Sequence, residues 1–203
     1  MSTNRDRVGR LLRNGLPAGL TVAYAWMVSG VLRDDTSKLL LLIQLGLLAV
    51  FFALRTDAVR VSWRPDHLFA ALFGTFGPFL LGFYVNVPSR ELPVGIAMQI
   101  GGLVLALLAL LSLNFSFGIV PANRGVKTGG LYRFVRHPIY AAYQLMHVGY
   151  VVNHPTLAAG VIVWCTLMAQ VMRIVAEEQV LGEDPVYREY MKRVRYRLLP
   201  PIF

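Results

Sequence analysis

The feature that most constrains the fold of this chain is a series of apolar stretches, several of them close to the roughly 20 residues that a helix needs to cross a bilayer. They cover residues 15–32, 39–54, 68–87, 94–113 and 157–174, with a shorter stretch at 138–152. Charged residues make up 15% of the chain, well below the roughly 25% of soluble domains. The sequence therefore predicts an all-α, polytopic membrane helix bundle with about six spans.

Two of these stretches depart from a standard span. As a helix, residues 138–152 would extend for about 22 Å, short of a hydrocarbon core about 30 Å thick. We therefore expect this fifth segment to be tilted, shielded by protein or extended through its flanks. The first stretch carries small residues at Ala23 and Ala25, as a signal-peptide cleavage site would. Because Pro17 interrupts its apolar part, we predict a retained span instead.

Basic residues predict the orientation of the bundle. Of the 20 Lys and Arg residues, only Arg33, Lys38 and Arg90 lie in the connections on one side of the membrane. By the positive-inside rule, the other side is cytoplasmic and carries both termini. The net charge of +9 then reflects topology and attraction to anionic lipid. Nucleic-acid binding is not expected, because the basic residues flank spans and form no domain of their own.

Unusual polar chemistry is concentrated in the second part of the chain. Residues 1–113 are predicted to form membrane hairpins, namely the first four spans. Residues 114–203 are predicted to form a polar loop, a second membrane hairpin and a cytoplasmic tail helix. Cys165 is the one cysteine and lies in an apolar run, so neither a disulfide framework nor a cysteine metal site is expected, and no metal is predicted.

A cluster of distinctive residues precedes the short fifth segment. Pro138 suits the first turn of a helix, which places His137 near the N-cap. The free N–H groups of that turn form a positive pole beside Arg136, and Gly130 lets the backbone approach a ligand closely. Nearby aromatic residues with polar tips are Tyr132, Tyr140 and Tyr143. This pattern indicates an anion or zwitterion site, although positive-inside arginines with an interfacial tyrosine belt would look similar.

Two adjacent carboxylates follow the last span. Glu177 and Glu178 lie near a helix C-terminus, where the helix dipole disfavours negative charge. Arg173 is one turn earlier, in the less favourable order for an ion pair. The turn before the last span is short, so the far ends of the two helices should meet and bring Arg136 and His137 to the carboxylates. The alternative is an ordinary solvated helix end.

These groups together suit S-adenosylmethionine. Its carboxylate is expected to bind N–H groups and cations, and its ammonium and ribose diol to bind carboxylates. Its sulfonium and adenine favour aromatic or carbonyl surroundings. We predict that Glu177 faces this cofactor and that Glu178 faces basic residues of the loop or the tail. Gln144 and His147, inside the fifth segment, are expected to form hydrogen bonds between helices.

The tail is predicted to be an amphipathic interfacial helix. Asp184 and Pro185 form a plausible N-cap and first turn. Apolar residues then recur at helical spacing, at Val186, Tyr190, Val194 and Leu198, and Pro200 and Pro201 end the segment. Basic residues between them favour a position on anionic lipid. The helix could anchor the chain to the surface or cover the cofactor as a lid.

The stretches "TGGLYRFVRHPIYAAY" and "PVYREYMKRVRYRLLP", with the Glu-Glu pair between them, resemble the isoprenylcysteine carboxyl methyltransferase-like family of integral membrane methyltransferases. The wider group includes phospholipid and small-thiol methyltransferases, and the resemblance covers roughly residues 114–200. It implies that these elements bind S-adenosylmethionine and that a lipophilic acceptor enters from the bilayer. The cofactor-binding positions that it implies are Thr128, Gly130, Tyr132, Arg136, His137, Pro138, Tyr140, Glu177, Glu178, Tyr187 and Tyr190.

The expected reaction is SN2 methyl transfer, which depends on alignment and desolvation. A carboxylate or thiolate acceptor needs no general base, whereas an amine would have to lose a proton, with His137 or a glutamate as candidates. Arg173 could orient an anionic acceptor. The acceptor stays open between an isoprenylcysteine-like carboxylate, a thiol, a lipid amine and an apolar metabolite. A non-catalytic membrane binding or assembly protein that retains the fold is the alternative.

Overall fold

The computed structural model describes residues 15, 17–26, 35–54, 60–61, 64–84, 89–113, 116, 122–123, 125–201 and 203. Within these ranges the chain is nearly all helix, which confirms the predicted all-α membrane bundle. A first helix, α1, spans residues 17–26. The others are α2 (Thr36–Leu54), α3 (Pro65–Phe76), α4 (Leu80–Tyr84), α5 (Pro93–Leu113), α6 (Pro138–Asn153), α7 (Leu157–Leu181) and α8 (Pro185–Arg193).

Short elements connect these helices. Single 3₁₀ turns lie at Gly77–Phe79, between α3 and α4, and at Gly130–Arg133, before α6. Two-residue strands β1 (Arg60–Val61) and β2 (Ala122–Asn123) pair antiparallel and form the one sheet in the described ranges.

Three helices of the described part are long and apolar enough to cross a membrane: α2, α5 and α7. They correspond to the second, fourth and sixth predicted spans, and α7 extends past the expected end at residue 174 to Leu181. The third predicted span is helical up to Tyr84, with the 3₁₀ turn between α3 and α4 as an interruption, and its remainder at 85–87 lies outside the described residues. The first is helical at 17–26, and its predicted remainder at 27–32 lies outside the described residues.

Helix α6 is the short fifth segment, with 16 residues. It is shielded by protein, since Val148 is its one exposed residue. Close packing on α5 makes this possible. A Cβ at Gly102 would lie 2.7 Å from the Ala142 carbonyl oxygen, and one at Gly149 would lie 2.6 Å from the Gly95 carbonyl oxygen. Glycine at these positions therefore lets the two backbones approach more closely than side chains would allow.

The C-terminal end of α6 carries a buried polar network. Ser37 Oγ accepts hydrogen bonds from Gln99 Nε2 at 2.7 Å and from Asn153 Nδ2 at 2.9 Å. His154 Nε2 lies 2.7 Å from Asp35 Oδ2. These bonds connect the starts of α2 and α5 to the turn between α6 and α7, and they leave the opposite end of the hairpin to the charged residues.

Inside α6, one of two predicted interhelical hydrogen bonds is present. Gln144 Nε2 donates to Gln170 Oε1 on α7 at 2.8 Å, which confirms the prediction for Gln144. The prediction for His147 is wrong: this ring is 0% exposed, and neither nitrogen has a hydrogen-bond partner among the described residues. Helical spacing places a polar residue on the interhelical face but does not ensure an acceptor at the right depth.

The tail departs from the predicted long helix. Helix α8 ends at Arg193, and Val194 is already extended. The reason lies in the following residues, whose carbonyl groups pair with the segment before α6. Arg136 N donates to Tyr196 O at 2.9 Å, and His137 N donates to the next carbonyl at 2.8 Å. Extended backbone presents these oxygens sideways, which a helix cannot do because its carbonyls point along the axis.

Candidate functional site

The turn between α6 and α7 brings the start of α6 to the end of α7. Pro138 occupies the first turn of α6 and His137 its N-cap position, as the sequence predicts. The His137 side chain does not cap the helix and instead lies between two carboxylates. Its Nε2 is 3.1 Å from Glu178 Oε1, and its Nδ1 is 3.7 Å from Glu177 Oε2. The expected meeting of the two motifs therefore occurs.

Glu178 is the centre of a basic cluster. Arg197 Nε donates to its Oε2 at 2.8 Å, and His137 shares its Oε1. Arg136 Nε lies 3.1 Å from Oε1, although this N–H forms no hydrogen bond. The Glu178 side chain is 8% exposed. One buried carboxylate thus holds the loop before α6, the end of α7 and the tail together, in agreement with its predicted basic partners.

Glu177 has a different environment. Its Oε1 accepts from the Tyr140 hydroxyl at 2.6 Å and from Arg173 Nε at 3.1 Å. For its Oε2 no hydrogen bond is found in the described part of the chain, and His137 Nδ1 lies 3.7 Å from it. With 19% of the side chain exposed, Glu177 presents one oxygen that a ligand hydroxyl or ammonium could bind.

Arg173, the predicted acceptor-binding residue, is buried within the bundle. Its exposed fraction is 3%, and its guanidinium contacts Glu177. Its Nη1 donates to Thr75 Oγ1 on α3 at 2.7 Å, and its Cζ lies 5.2 Å from the centre of the Tyr140 ring. The i,i+4 ion pair with Glu177 forms despite its unfavourable order, because burial removes the competition from water.

Helix α8 packs against the 3₁₀ turn before α6. The Tyr190 hydroxyl donates to the Tyr132 carbonyl oxygen at 2.7 Å. Tyr187 is 3% exposed, and its hydroxyl has no hydrogen-bond partner among the described residues. Burial raises the pKa of Tyr132, Tyr187 and Tyr190, so these hydroxyls stay protonated. Asp184 caps α8 by accepting from Val186 N at 2.8 Å, as predicted.

The remaining predicted positions surround this cluster. Thr128 lies in the half-buried segment that leads to the 3₁₀ turn. Gly130 has a φ of +58° and lies against Ser112 at the end of α5, where a Cβ would overlap the serine side chain. The turn thus requires glycine both for its backbone conformation and for its closeness to α5. Tyr143 packs against the apolar cluster of α2 and α5 rather than with the carboxylates.

The sequence does not single out two residues of the site. Basic residues of the tail are predicted partners of Glu178, but not Arg197 in particular, and Thr75 is predicted only as part of an apolar span. Neither has a signal in the local sequence, since Thr75 is 98 residues from Arg173 and Arg197 is 19 residues from Glu178. Only the packing of α3 and the tail on α7 reveals them.

A family comparison agrees with this geometry. Residues 91–188 match the family model described as phospholipid methyltransferase. Over these residues, just under half of the chain, the protein is similar to this family of membrane methyltransferases. The resemblance found in the sequence is therefore confirmed, and with the three long apolar helices it identifies an integral membrane protein. No curated protein and no solved structure matches.

The residues at the junction of α6 and α7 fit S-adenosylmethionine. Polar atoms without hydrogen-bond partners, which are costly when buried, converge on the junction of α6 and α7. They are the Tyr187 hydroxyl and Arg136 Nε, and the partly exposed Glu177 Oε2 lies beside them. A cation and a hydroxyl donor suit the cofactor's carboxylate, and an open carboxylate oxygen suits its ammonium or ribose diol.

Proposed function

We propose that this chain is an S-adenosylmethionine-dependent methyltransferase that acts on a lipophilic acceptor at the cytoplasmic edge of the membrane. The observation that carries the proposal is the junction of α6 and α7, where two carboxylates, Arg136 and His137 meet in a chain that is similar to the methyltransferase family. When bound, the cofactor supplies a methyl group activated on its sulfonium. The chain's own residues bind and orient the two reactants.

Each side of the junction has its own role in this proposal. Arg136 and the first turn of α6 bind the cofactor's carboxylate, and Glu177 Oε2 binds its ammonium or ribose hydroxyls. Glu178 keeps the surrounding basic groups in place through its contacts with Arg136, His137 and Arg197. The Tyr132, Tyr187 and Tyr190 cluster supplies aromatic faces and excludes water.

An apolar pocket next to this junction suits the acceptor. It has a volume of about 480 Å³ and is lined by α5, α6, the loop before α6 and the tail. Pro138 and Leu198, which line it, directly follow His137 and Arg197 of the polar cluster. Leu105 and Val148, also in its lining, are 40% and 44% exposed, so the pocket opens on the apolar surface of the bundle. A hydrocarbon chain from the bilayer could enter there.

Two measurements test the proposal in sequence. Calorimetry on the purified protein in detergent should detect binding of S-adenosylmethionine and of S-adenosylhomocysteine. Transfer of a labelled methyl group should then be measured with a prenylated thiol carboxylate, an alkyl thiol, a phospholipid amine and an apolar metabolite. Absence of binding contradicts the proposal. Binding without transfer to any acceptor would favour a non-catalytic binding or assembly protein.

The pocket assignment has its own matched pair of variants. Leu145→Trp fills the pocket from α6 and should slow transfer to a long-chain acceptor while leaving cofactor affinity unchanged. Leu108→Trp makes the same change on α5 at a residue that is 46% exposed and does not line the pocket. Equal transfer rates in the two variants would assign the acceptor to another surface.

A further inference from the structure

Helix α3 contributes to the site although it lies outside the family match, which begins at residue 91. Two successive residues at its end contact α7. The Gly74 carbonyl oxygen accepts from Gln170 Nε2 at 3.3 Å, and Thr75 Oγ1 accepts from Arg173 Nη1 at 2.7 Å. Gly74 also allows close packing, since a Cβ there would lie 3.4 Å from the Gln170 side chain.

The contact with Thr75 bears on Glu177 through Arg173. The guanidinium is held by Thr75 at Nη1, by Glu177 at Nε and by the face of the Tyr140 ring. A guanidinium is planar, so fixing two of its nitrogens fixes the orientation of the whole group. Arg173 Nε and the Tyr140 hydroxyl both bind Glu177 Oε1. Neither of these two groups binds Oε2, so this second oxygen is available to a ligand.

We infer that Thr75 is a positioning residue: through Arg173 it sets the orientation of Glu177 and thereby the affinity for S-adenosylmethionine. This inference rests on the proposed function. Without the Thr75 hydroxyl, the guanidinium of Arg173 loses the hydrogen bond that fixes its Nη1, so the plane of the group and its contact with Glu177 are less closely defined. The Glu177 carboxylate then samples several orientations, so its Oε2 is no longer pre-oriented to accept a hydrogen bond from the ligand.

The test compares three variants by calorimetry with S-adenosylhomocysteine on the full chain in detergent. Thr75→Val keeps the side-chain shape and removes the hydroxyl, and it should raise Kd about tenfold, as expected for roughly 1.4 kcal/mol. Thr75→Ser retains the hydroxyl and should bind within about twofold of the native chain. Thr166→Val is the matched control, because Thr166 is 0% exposed and its hydroxyl has no hydrogen-bond partner in the described part.

A double-mutant cycle separates positioning from a general structural effect. In the Glu177→Gln background, Thr75→Val should change Kd little, because the group that it orients is already altered. An additive loss would overturn the inference, as would unchanged affinity in Thr75→Val alone. If Thr75→Val does not fold, Thr75→Ala takes its place in the same cycle. Loss of binding in the native chain would contradict the proposed function itself, whereas native binding with an unaffected variant contradicts only the role of Thr75.

Discussion

The two ends of the α6–α7 hairpin use buried polar residues in opposite ways. At the turn between the helices, Asn153 donates to Ser37 and accepts from Leu92 N at 3.0 Å, and His154 pairs with Asp35. This closed end has one ion pair and mostly neutral bonds. At the other end, the open end, six charged or ionisable groups cluster: Arg136, His137, Arg173, Glu177, Glu178 and Arg197. Two buried donors there, Arg136 Nε and the Tyr187 hydroxyl, have no hydrogen-bond partner among the described residues.

The difference indicates what each end is for. A buried polar group without a partner costs free energy, so a fold that needed only stability would satisfy it. The closed end does so, apart from the Gln99 carbonyl oxygen. The open end combines unsatisfied donors with an available carboxylate oxygen, as a ligand site requires. Variants at the closed end should therefore change stability, and variants at the open end should change binding.

The largest effect on stability is expected at Glu178, which holds the residues of the open end together. Glu178→Gln removes the charge shared by Arg136, His137 and Arg197. Breaking a buried ion pair costs on the order of 3 kcal/mol, so the free energy of unfolding and the cofactor affinity should both fall. Thermal unfolding in detergent and calorimetry measure the two quantities. A variant that unfolds like the native chain would show that the cluster does not hold the tail.

A somewhat smaller effect on stability alone is expected at the closed end. Asn153→Ala removes two buried side-chain hydrogen bonds, to Ser37 and from Leu92, and should cost about 2 kcal/mol of unfolding free energy. Affinity for S-adenosylhomocysteine should stay unchanged in the folded fraction. A selective loss of affinity would mean that the two ends are coupled and that the comparison fails.

Cofactor binding is also expected to depend on the start of α6. Arg136→Ala and His137→Ala should each weaken cofactor affinity by about 1.5–3 kcal/mol, the contribution of a charge-assisted hydrogen bond. Arg133→Ala is a suitable control, since Arg133 is exposed and its contacts within the described residues are with its own turn and the adjacent Phe134 ring. If both site variants bind the cofactor with native affinity, these two residues only help to orient the chain in the membrane through their charge and do not bind the cofactor.

Glu177→Gln should produce a more selective loss. The amide oxygen can still accept from Arg173 and Tyr140, so the unfolding temperature should stay close to that of the native chain. Cofactor affinity should fall by about 1.5 kcal/mol, because the amide NH2 in place of Oε2 is uncharged and cannot accept a hydrogen bond. If Glu177→Gln binds normally and Glu178→Gln does not, the roles of the two carboxylates are reversed.

The orientation of the two ends relative to the cytoplasm is the last prediction. In a Cys165→Ser background, Ser2→Cys should not react with a membrane-impermeant thiol reagent in intact cells. Ser89→Cys, beside Arg90 on the side with few basic residues, should react. Reaction at position 2 would place the open end outside the cell. The site would then have no access to cytoplasmic cofactor, which contradicts the proposed function.

The sequence by itself determined the class of fold and the components of the site. Apolar runs predict helices in a membrane because only internally bonded backbone is stable there. Pro138 and Asp184 set helix starts through local geometry, and the short turn before α7 brings the two charged motifs together. All of these depend on residues close in the chain, where spacing is enough to fix geometry.

The tertiary structure decided which atoms of those components meet. It assigned Arg197 to Glu178 and Thr75 to Arg173, and it left His147 without a hydrogen-bond partner in the described part. It also ended the tail helix at Arg193, where extended backbone could pair with the segment before α6. These outcomes depend on how each helix is rotated about its axis and how deep it lies in the bundle. Sliding a helix by one residue, about 1.5 Å, changes which side chains meet, and hydrophobic periodicity does not specify that position.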